Sequence, residues 1–308
     1  MLPTPTFHHL HLNSVDPDAA VDFYTARFDS TSRTTWNGEP ALDCGRGVLV
    51  VFGKVASPPP TDPQRTAIWH FGWHVPDSRA SLARYRKSLD VKLLPLYTGD
   101  GDGYVEISSD TWPGKDGVLG LTQAQIAAAK SEGVEPTRRG GFSYVEGPDG
   151  ALFEYSGNHA TEYFNHVHLW QDDPFCALLW YQRHLNAPVM PGRESATPVT
   201  EESCKVPRGE DRTFPSLTRE GMYRSPRAAV TFSDVALMWY PKQDERTLEG
   251  TRGNIVDHIG LGVTDLDAWV QKLRGAGVTI LQEPYRVGDT RAFMIEGPGR
   301  EAIELIEV

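Results

Sequence analysis

The sequence has no apolar run of the roughly 18 residues that a membrane-spanning helix requires. Its first residues, MLPTPTFHHL, contain neither the basic nor the apolar segment of a secretory signal. Only three cysteines are present, without a C-x-x-C motif, so we expect reduced thiols and a cytoplasmic protein, not a disulfide framework. Cys176, in the apolar stretch FCALLW, is interpreted as a small buried side chain.

Positive charge is also scarce. The chain has 30 Lys and Arg against 41 Asp and Glu, which gives a net charge of −11. A surface this acidic repels other polyanions, so nucleic acid and anionic membranes are excluded as expected partners. The composition, 39% hydrophobic and 23% charged, is typical of a globular protein.

What the sequence does contain is a histidine motif that occurs four times. His9 and His166 each begin an H-x-H motif, while His70 and His258 each begin an H-x-G motif. In every copy an Asp follows the first His by seven residues. The alternating order of the two motifs indicates a unit of two modules that has been duplicated once.

Each copy of the motif predicts a strand followed by a helix. The motif alternates apolar and polar residues, as a half-buried strand does, and the Asp is a good helix N-cap. Further strand-like segments follow each helix, which predicts an α+β fold of four β-α-β-β-β modules. Consecutive modules are expected to pair into two domains, residues 1–160 (modules 6–56 and 66–157) and residues 161–308 (modules 163–241 and 254–308). Residues 121–133 predict an additional helix, and residues 190–228 a long polar loop whose role the sequence leaves open.

These modules resemble the vicinal oxygen chelate superfamily, which contains glyoxalase I, the extradiol dioxygenases and the bleomycin resistance proteins. The most specific match is the segment Tyr144-Val-Glu-Gly-Pro-Asp-Gly-Ala-Leu-Phe-Glu154, which is similar to the closing motif of the extradiol enzymes. A weaker version, GPGREAIE, ends the fourth module at Glu304. The resemblance covers nearly the whole chain and implies that paired modules form mixed-sheet half-barrels around a metal.

The resemblance also implies a ligand set of two histidines and one glutamate in each domain. Carried over residue by residue, it implies His9, His70 and Glu154 in the first domain. In the second domain it implies His166, His258 and Glu304. Relatives of the glyoxalase I type use a fourth ligand from the last strand of the first module, but the corresponding segments VLVVFG and VALMWY contain no carboxylate.

Further side chains are candidates for acid–base catalysis or for orienting a ligand. His11 and His74 lie an even number of residues after His9 and His70, so they are expected on the same strand face. Tyr144 occupies the position of a tyrosine in the family motif. His8 is expected to point to the opposite face.

The residues and the resemblance together predict a divalent-metal enzyme whose small-molecule substrate chelates the metal through adjacent oxygens. Fe(II) is the favoured metal because a facial set of two histidines and one carboxylate suits it, with Mn(II), Zn(II) and Ni(II) as alternatives. The favoured hypothesis is an extradiol dioxygenase-like reaction, with an aromatic compound as a candidate substrate. A glyoxalase I-like lyase or isomerase and a non-catalytic binding or resistance protein stay open, as do a homodimer and the number of metals bound.

Overall fold

The computed structural model of the chain describes most of the residues. They are 2–62, 65–88, 92–93, 110–111, 118–119, 123–134, 137–138, 142–157, 159–206, 222–223, 226–242 and 246–308. Within these ranges, no helix is both long enough and apolar enough to cross a membrane.

The first two modules contain the predicted succession of strand, helix and further strands. Module 1 comprises β1 (Thr6–Ser14), α1 (Pro17–Thr25), β2 (Ser32–Trp36), β3 (Glu39–Asp43) and β4 (Leu49–Lys54). Module 2 comprises β5 (Ile68–His74), α2 (Ser78–Arg86), β6 (Lys92–Leu93), β7 (Asp110–Thr111), β8 (Val118–Leu119), α3 (Gln123–Ser131), β9 (Thr137–Arg138), β10 (Phe142–Glu146) and β11 (Leu152–Ser156). The helix α3 is the additional helix that the sequence predicts.

The last two modules repeat this order. Module 3 comprises β12 (Tyr163–Gln171), α4 (Pro174–Leu185), β13 (Met222–Tyr223), β14 (Ala228–Phe232) and β15 (Val235–Pro241). Module 4 comprises β16 (Val256–Val263), α5 (Leu266–Gly275), β17 (Ile280–Val287), β18 (Thr290–Glu296) and β19 (Ala302–Glu307). The predicted α+β class with mixed sheets is confirmed. Of the predicted polar loop at 190–228, the parts at 207–221 and 224–225 lie outside the described residues.

The repeated Asp residues begin the helices as predicted. Asp16, Asp77 and Asp265 each accept a hydrogen bond from the amide three residues later, at 3.2, 3.0 and 2.9 Å. Asp173 differs, because its carboxylate accepts instead from the amide of Val206 at 2.8 Å. This Asp thus fastens the segment after α4 to the start of that helix.

The modules pair in an order that the sequence analysis does not predict. The strands of the first large sheet run β17-β18-β19-β16-β1-β4-β3-β2, so module 4 pairs with module 1. The second runs β14-β15-β12-β5-β11-β10-β6, so module 3 pairs with module 2. The prediction that consecutive modules share a sheet is therefore wrong.

Consecutive modules make contact through their helices and turns instead. Tyr24 and Phe28, on and just after α1, pack against Trp73 of β5 with ring centroids 5.7 and 4.1 Å apart. In the second half of the chain, the Tyr181 hydroxyl of α4 donates a hydrogen bond of 2.7 Å to Glu301 beside β19. Modules that are consecutive in the sequence therefore bury large aromatic side chains against each other, although they do not share a sheet.

The cysteines also depart from expectation. Cys176 of α4 and Cys204 form a disulfide, and Cys44 is a buried free thiol. The prediction of reduced cysteines, with Cys176 a buried side chain alone, is wrong because Cys204 returns to the beginning of α4, where the Cα atoms are 4.8 Å apart. The disulfide removes the cysteine-based argument for a reducing compartment.

Glu301 gives the stability of the fold a dependence on pH. Burial raises the pKa of its carboxyl to about 7, from an ordinary value of 4.5. The unfolded chain therefore releases this proton at lower pH than the folded protein, so the free energy of unfolding should fall as the pH rises from 4.5 to 7. We expect Glu301→Gln to remove this contribution, which is about 3 kcal/mol at most. Urea unfolding of both proteins at pH 4.5 and pH 8 measures it, and equal changes in the two proteins would contradict the assignment.

Candidate metal centres

In both large sheets an H-x-H strand lies antiparallel to an H-x-G strand. On β1 and β16, His11 is opposite His258 and His9 is opposite Gly260. On β12 and β5, His168 is opposite His70 and His166 is opposite Gly72. Each sheet thus contains one complete copy of the same arrangement, within a single chain.

The glycine of each H-x-G motif makes room for an imidazole. A Cβ atom on Gly260 would lie 2.1 Å from the His9 ring. One on Gly72 would lie 2.5 Å from the His166 ring and 2.4 Å from the carbonyl oxygen of Glu154. The ring of the first histidine therefore lies over the glycine of the opposite strand, and a larger residue there would displace it.

The first cluster, which we call the Glu304 centre, contains His9, His258 and Glu304. The two Nε2 atoms of His9 and His258 are 3.2 Å apart, and they lie 3.5 and 4.0 Å from Glu304 Oε2. Glu304 projects from β19, where it is paired with Gly260. All three side chains are almost completely buried. Two ligand atoms about 2.1 Å from one ion lie about 3.0 to 3.4 Å apart, so the separations are close to those of a metal site.

The polar groups of the Glu304 centre are of the kinds that bind a divalent metal. The Nδ1–H of His258 donates to Asp257 Oδ1 at 2.7 Å, which leaves Nε2 as a lone pair. Glu304 Oε2 is buried and accepts no hydrogen bond from the described part of the chain. Burial and the neighbouring His258 lower the pKa of His9 well below its ordinary value, so its imidazole is neutral. The His258 lone pair, the neutral His9 imidazole and the Glu304 carboxylate oxygen thus meet in a buried space, and these groups match the donor set of a divalent metal.

The second cluster, the Glu154 centre, contains His70, His166 and Glu154. Glu154 Oε2 lies 2.9 Å from His70 Nε2 and 3.8 Å from His166 Nε2. Glu154 is paired with Gly72, just as Glu304 is paired with Gly260. His168 adds a fourth nitrogen, with Nδ1 at 3.9 Å from the same carboxylate oxygen. These four side chains form one of the two groups with metal-ligand geometry among the described residues.

The six predicted ligands are thus all in two clusters, but their grouping differs from the prediction. His9 lies with His258 and Glu304, and His166 lies with His70 and Glu154. His11 forms the second group with metal-ligand geometry together with His9 and His258. The predicted sets exchanged the two H-x-H histidines, because they assumed that consecutive modules share a sheet.

Each of the four first histidines follows a β-bulge. The strand registers shift at His8 and Asn165, and again at Trp69 and Asp257. A bulge turns the extra side chain toward the face of its neighbour. His8, Asn165 and Asp257 accordingly reach Nδ1 of the next histidine at 2.8, 2.8 and 2.7 Å. The Trp69 ring packs edge-on against that of His70, with centroids 4.1 Å apart. The expectation that His8 points to the opposite face is wrong for this reason.

The predicted acid–base candidates lie at different distances from the clusters. His11 stacks on His258 at 4.5 Å, and burial with the nearby His258 lowers the pKa of His11 to about 3. Tyr144 lies against His70, with ring centroids 5.0 Å apart. His74 reaches the Glu154 centre only through Asn165, whose Nδ2 is 2.6 Å from His74 Nε2.

The position for a fourth ligand is apolar in both centres. Glu304 of β19 is paired with Gly260, two residues after His258 on the neighbouring strand. The equivalent position in module 1, paired with the residue two after His9, is Val51 of β4. In the other sheet the place beside His168 is Met238 of β15. Both residues are buried. Each centre therefore offers three strong protein ligands that face one way, plus one further histidine.

The surroundings of the centres differ. Trp69, Tyr144 and Tyr240 surround the Glu154 centre, and Tyr240 lies 5.0 Å from the His168 ring. At the Glu304 centre the Tyr285 hydroxyl donates a hydrogen bond to Glu304 Oε1. Burial, together with the nearby Glu304 carboxylate, raises the pKa of that phenol far above its usual range. Tyr285 therefore stays protonated and holds the carboxylate in place.

Comparisons with known proteins agree with this architecture. A family model described as Glyoxalase/Bleomycin resistance protein/Dioxygenase superfamily matches residues 163–305. Glyoxalase I from Zea mays is similar in structure, with a TM-score of 0.59 and 14% identity over 99% of this chain and 92% of that one. A putative dioxygenase from Bacillus subtilis has a TM-score of 0.60 and 12% identity over 100% of this chain and 86% of that one. No curated protein matches the sequence. At these identities the two structures show the fold alone.

Proposed function

We propose that the chain is a divalent-metal enzyme of the extradiol dioxygenase type, because residues 163–305 match the Glyoxalase/Bleomycin resistance protein/Dioxygenase superfamily. The observation that supports the proposal is that two histidines and one carboxylate approach one another closely in each centre. An apolar residue occupies the position of a fourth ligand from the neighbouring strand. Three ligands on one side leave room for two substrate oxygens and a further small molecule.

In the proposal, His70, His166 and Glu154 hold the metal that serves catalysis, while His9, His258 and Glu304 hold a second ion. Fe(II) is the favoured metal. A divalent ion held there would polarise two adjacent substrate oxygens as a Lewis acid, and Fe(II) would add reactivity toward O₂.

We assign catalysis to the Glu154 centre because three aromatic rings, those of Trp69, Tyr144 and Tyr240, lie around it. The Glu304 centre has Trp36 and Tyr285 beside it. Trp69 and Tyr144 lie 5.4 Å apart by ring centroids, and Tyr240 faces His168. Such rings bind a planar aromatic substrate by stacking and edge contacts. His168 stacks on His166 at 4.2 Å and is placed to accept a proton from a substrate hydroxyl.

The test is metal analysis and oxygen uptake on protein purified without air. We expect iron to be retained and catechols to consume O₂ in equal molar amounts. Glu154→Ala should abolish the uptake, whereas Glu304→Ala should retain a measurable part of it. Metal-containing protein that consumes no O₂ but converts the hemithioacetal of methylglyoxal and glutathione would establish the glyoxalase-like alternative. Protein that binds no divalent metal would overturn both enzyme functions.

A further inference from the structure

A chain of three polar side chains connects the Glu154 centre to the ends of the central strands β5 and β12. His166 Nδ1 lies 2.8 Å from Asn165 Oδ1, and Asn165 Nδ2 lies 2.6 Å from His74 Nε2. His74 Nδ1 lies 3.1 Å from the Tyr163 hydroxyl. Asn165 and His166 are buried, and His74 and Tyr163 are partly exposed.

The bulge at Asn165 is what makes this chain of contacts. In a regular strand the side chains of Asn165 and His166 would face opposite sides of the sheet. The register shift between Phe164 and His166 lets the Asn165 amide lie between the imidazoles of His166 and His74. The amide is bipolar, with an acceptor at one end and a donor at the other.

The proton positions in this chain are therefore coupled. If Asn165 Oδ1 accepts from His166 Nδ1–H, its Nδ2 must donate to His74, and His74 Nε2 must be a lone pair. His166 Nε2 is then also a lone pair, which can bind a metal. If the amide is reversed, His166 must place its proton on Nε2, which faces Glu154 and can no longer bind a metal.

We propose that His74 is a positioning residue that acts through Asn165 to fix the metal-binding tautomer of His166. The inference rests on the proposed function, because it requires a metal at the Glu154 centre. His74 does so as a hydrogen-bond acceptor at Nε2, with Tyr163 accepting from its Nδ1–H. Burial and the neighbouring His159 lower the pKa of His74 to about 3, which agrees with a neutral acceptor.

The experiment measures Zn(II) affinity by competition with a chromophoric chelator, in protein that carries Glu304→Ala so that one centre remains. The protein also carries His258→Ala, because His9, His11 and His258 form a metal-ligand group that does not include Glu304. In this background His74→Phe removes the acceptor, and we expect Zn(II) to bind roughly 10-fold more weakly. Asn165→Asp offers acceptor oxygens on both sides, so His166 keeps its metal-binding tautomer whatever residue 74 is. The double variant His74→Phe/Asn165→Asp should therefore bind Zn(II) at least as tightly as the parent.

A matched control separates the hydrogen bond from packing. His159 stacks on His74 at 3.3 Å but takes no part in the chain of hydrogen bonds. His159→Phe should leave the Zn(II) affinity within about two-fold of the parent. Equal losses in His74→Phe and His159→Phe, or no rescue by Asn165→Asp, would overturn the inference.

The same protein distinguishes failure of the inference from failure of the proposed function. If the parent binds one Zn(II) and adding Glu154→Ala abolishes it, the centre is real and the affinities decide the role of His74. If the parent binds no Zn(II), the Glu154 centre is not a metal site, and both proposals fall together. Thermal unfolding of each variant without metal identifies any variant that has lost its fold. If His74→Phe has done so, the Zn(II) affinity of Asn165→Asp is compared with that of the parent, and a large loss in this variant would overturn the inference.

Discussion

Replacing His9 with alanine is expected to remove one metal equivalent per chain, from the Glu304 centre, and to leave the Glu154 centre filled. His9 Nε2 lies 3.2 Å from His258 Nε2 and 3.5 Å from Glu304 Oε2, so its loss removes one of the three protein ligands proposed for that ion. Because substitution of outer partners alone costs 10- to 100-fold in affinity, loss of a direct ligand should cost at least about 100-fold. Metal per chain, measured after gel filtration in metal-free buffer, gives the result.

Double variants make this a test of the module pairing. His9→Ala/Glu304→Ala should lose one equivalent, because both residues are in the same centre. His9→Ala/Glu154→Ala should lose two, because they are in different sheets. If His9 were instead grouped with Glu154, the first double variant would lose two equivalents and the second would lose one. His184→Ala is the control, since His184 contacts Trp180 on α4 and belongs to neither cluster.

The module pairing was beyond the sequence for a physical reason. The motifs predict which strands contain ligands, and the Asp caps predict where helices begin. Both H-x-G strands, however, offer a glycine at the place where an opposite imidazole must lie, so His9 could be opposite Gly72 or Gly260 equally well. The choice depends on contacts between residues about 250 positions apart, such as the pairing of Phe7 with Leu261, which no local pattern specifies.

The bulges and the disulfide escaped prediction because each depends on a small local departure from regularity. Strict alternation places His8 and Asn165 on the face away from the metal. A single extra residue in each strand brings them to the adjacent histidine instead. The polar residues before three of the four histidines were a usable signal, since Asn and Asp are disfavoured inside strands. Cys176 and Cys204, separated by 28 residues, carried no comparable signal.

Gly260→Ala should both destabilise the fold and empty the Glu304 centre. The new Cβ would lie 2.1 Å from two atoms of the His9 ring. That ring is fully buried, with Trp36 at 4.8 Å and His258 at 5.3 Å by ring centroids, so it cannot move aside. Overpacking of a filled interior costs about 1 to 3 kcal/mol, and displacement of a ligand also weakens the metal site. Urea unfolding without metal and metal per chain measure the two effects separately.

The decisive comparison repeats Gly260→Ala in protein that carries His9→Ala. If the cost arises from the imidazole, removing that ring should abolish most of the destabilisation, and the two substitutions will be strongly non-additive. Gly275→Ala, at the end of α5 with no atom within 4 Å of its Cβ, should instead be neutral or stabilising by up to about 1 kcal/mol. An undiminished cost of Gly260→Ala in the His9→Ala background would mean that the glycine serves the strand backbone alone. Recovery of stability would show that Gly260, the glycine of the fourth histidine motif, accommodates the imidazole of His9, some 250 residues away in sequence.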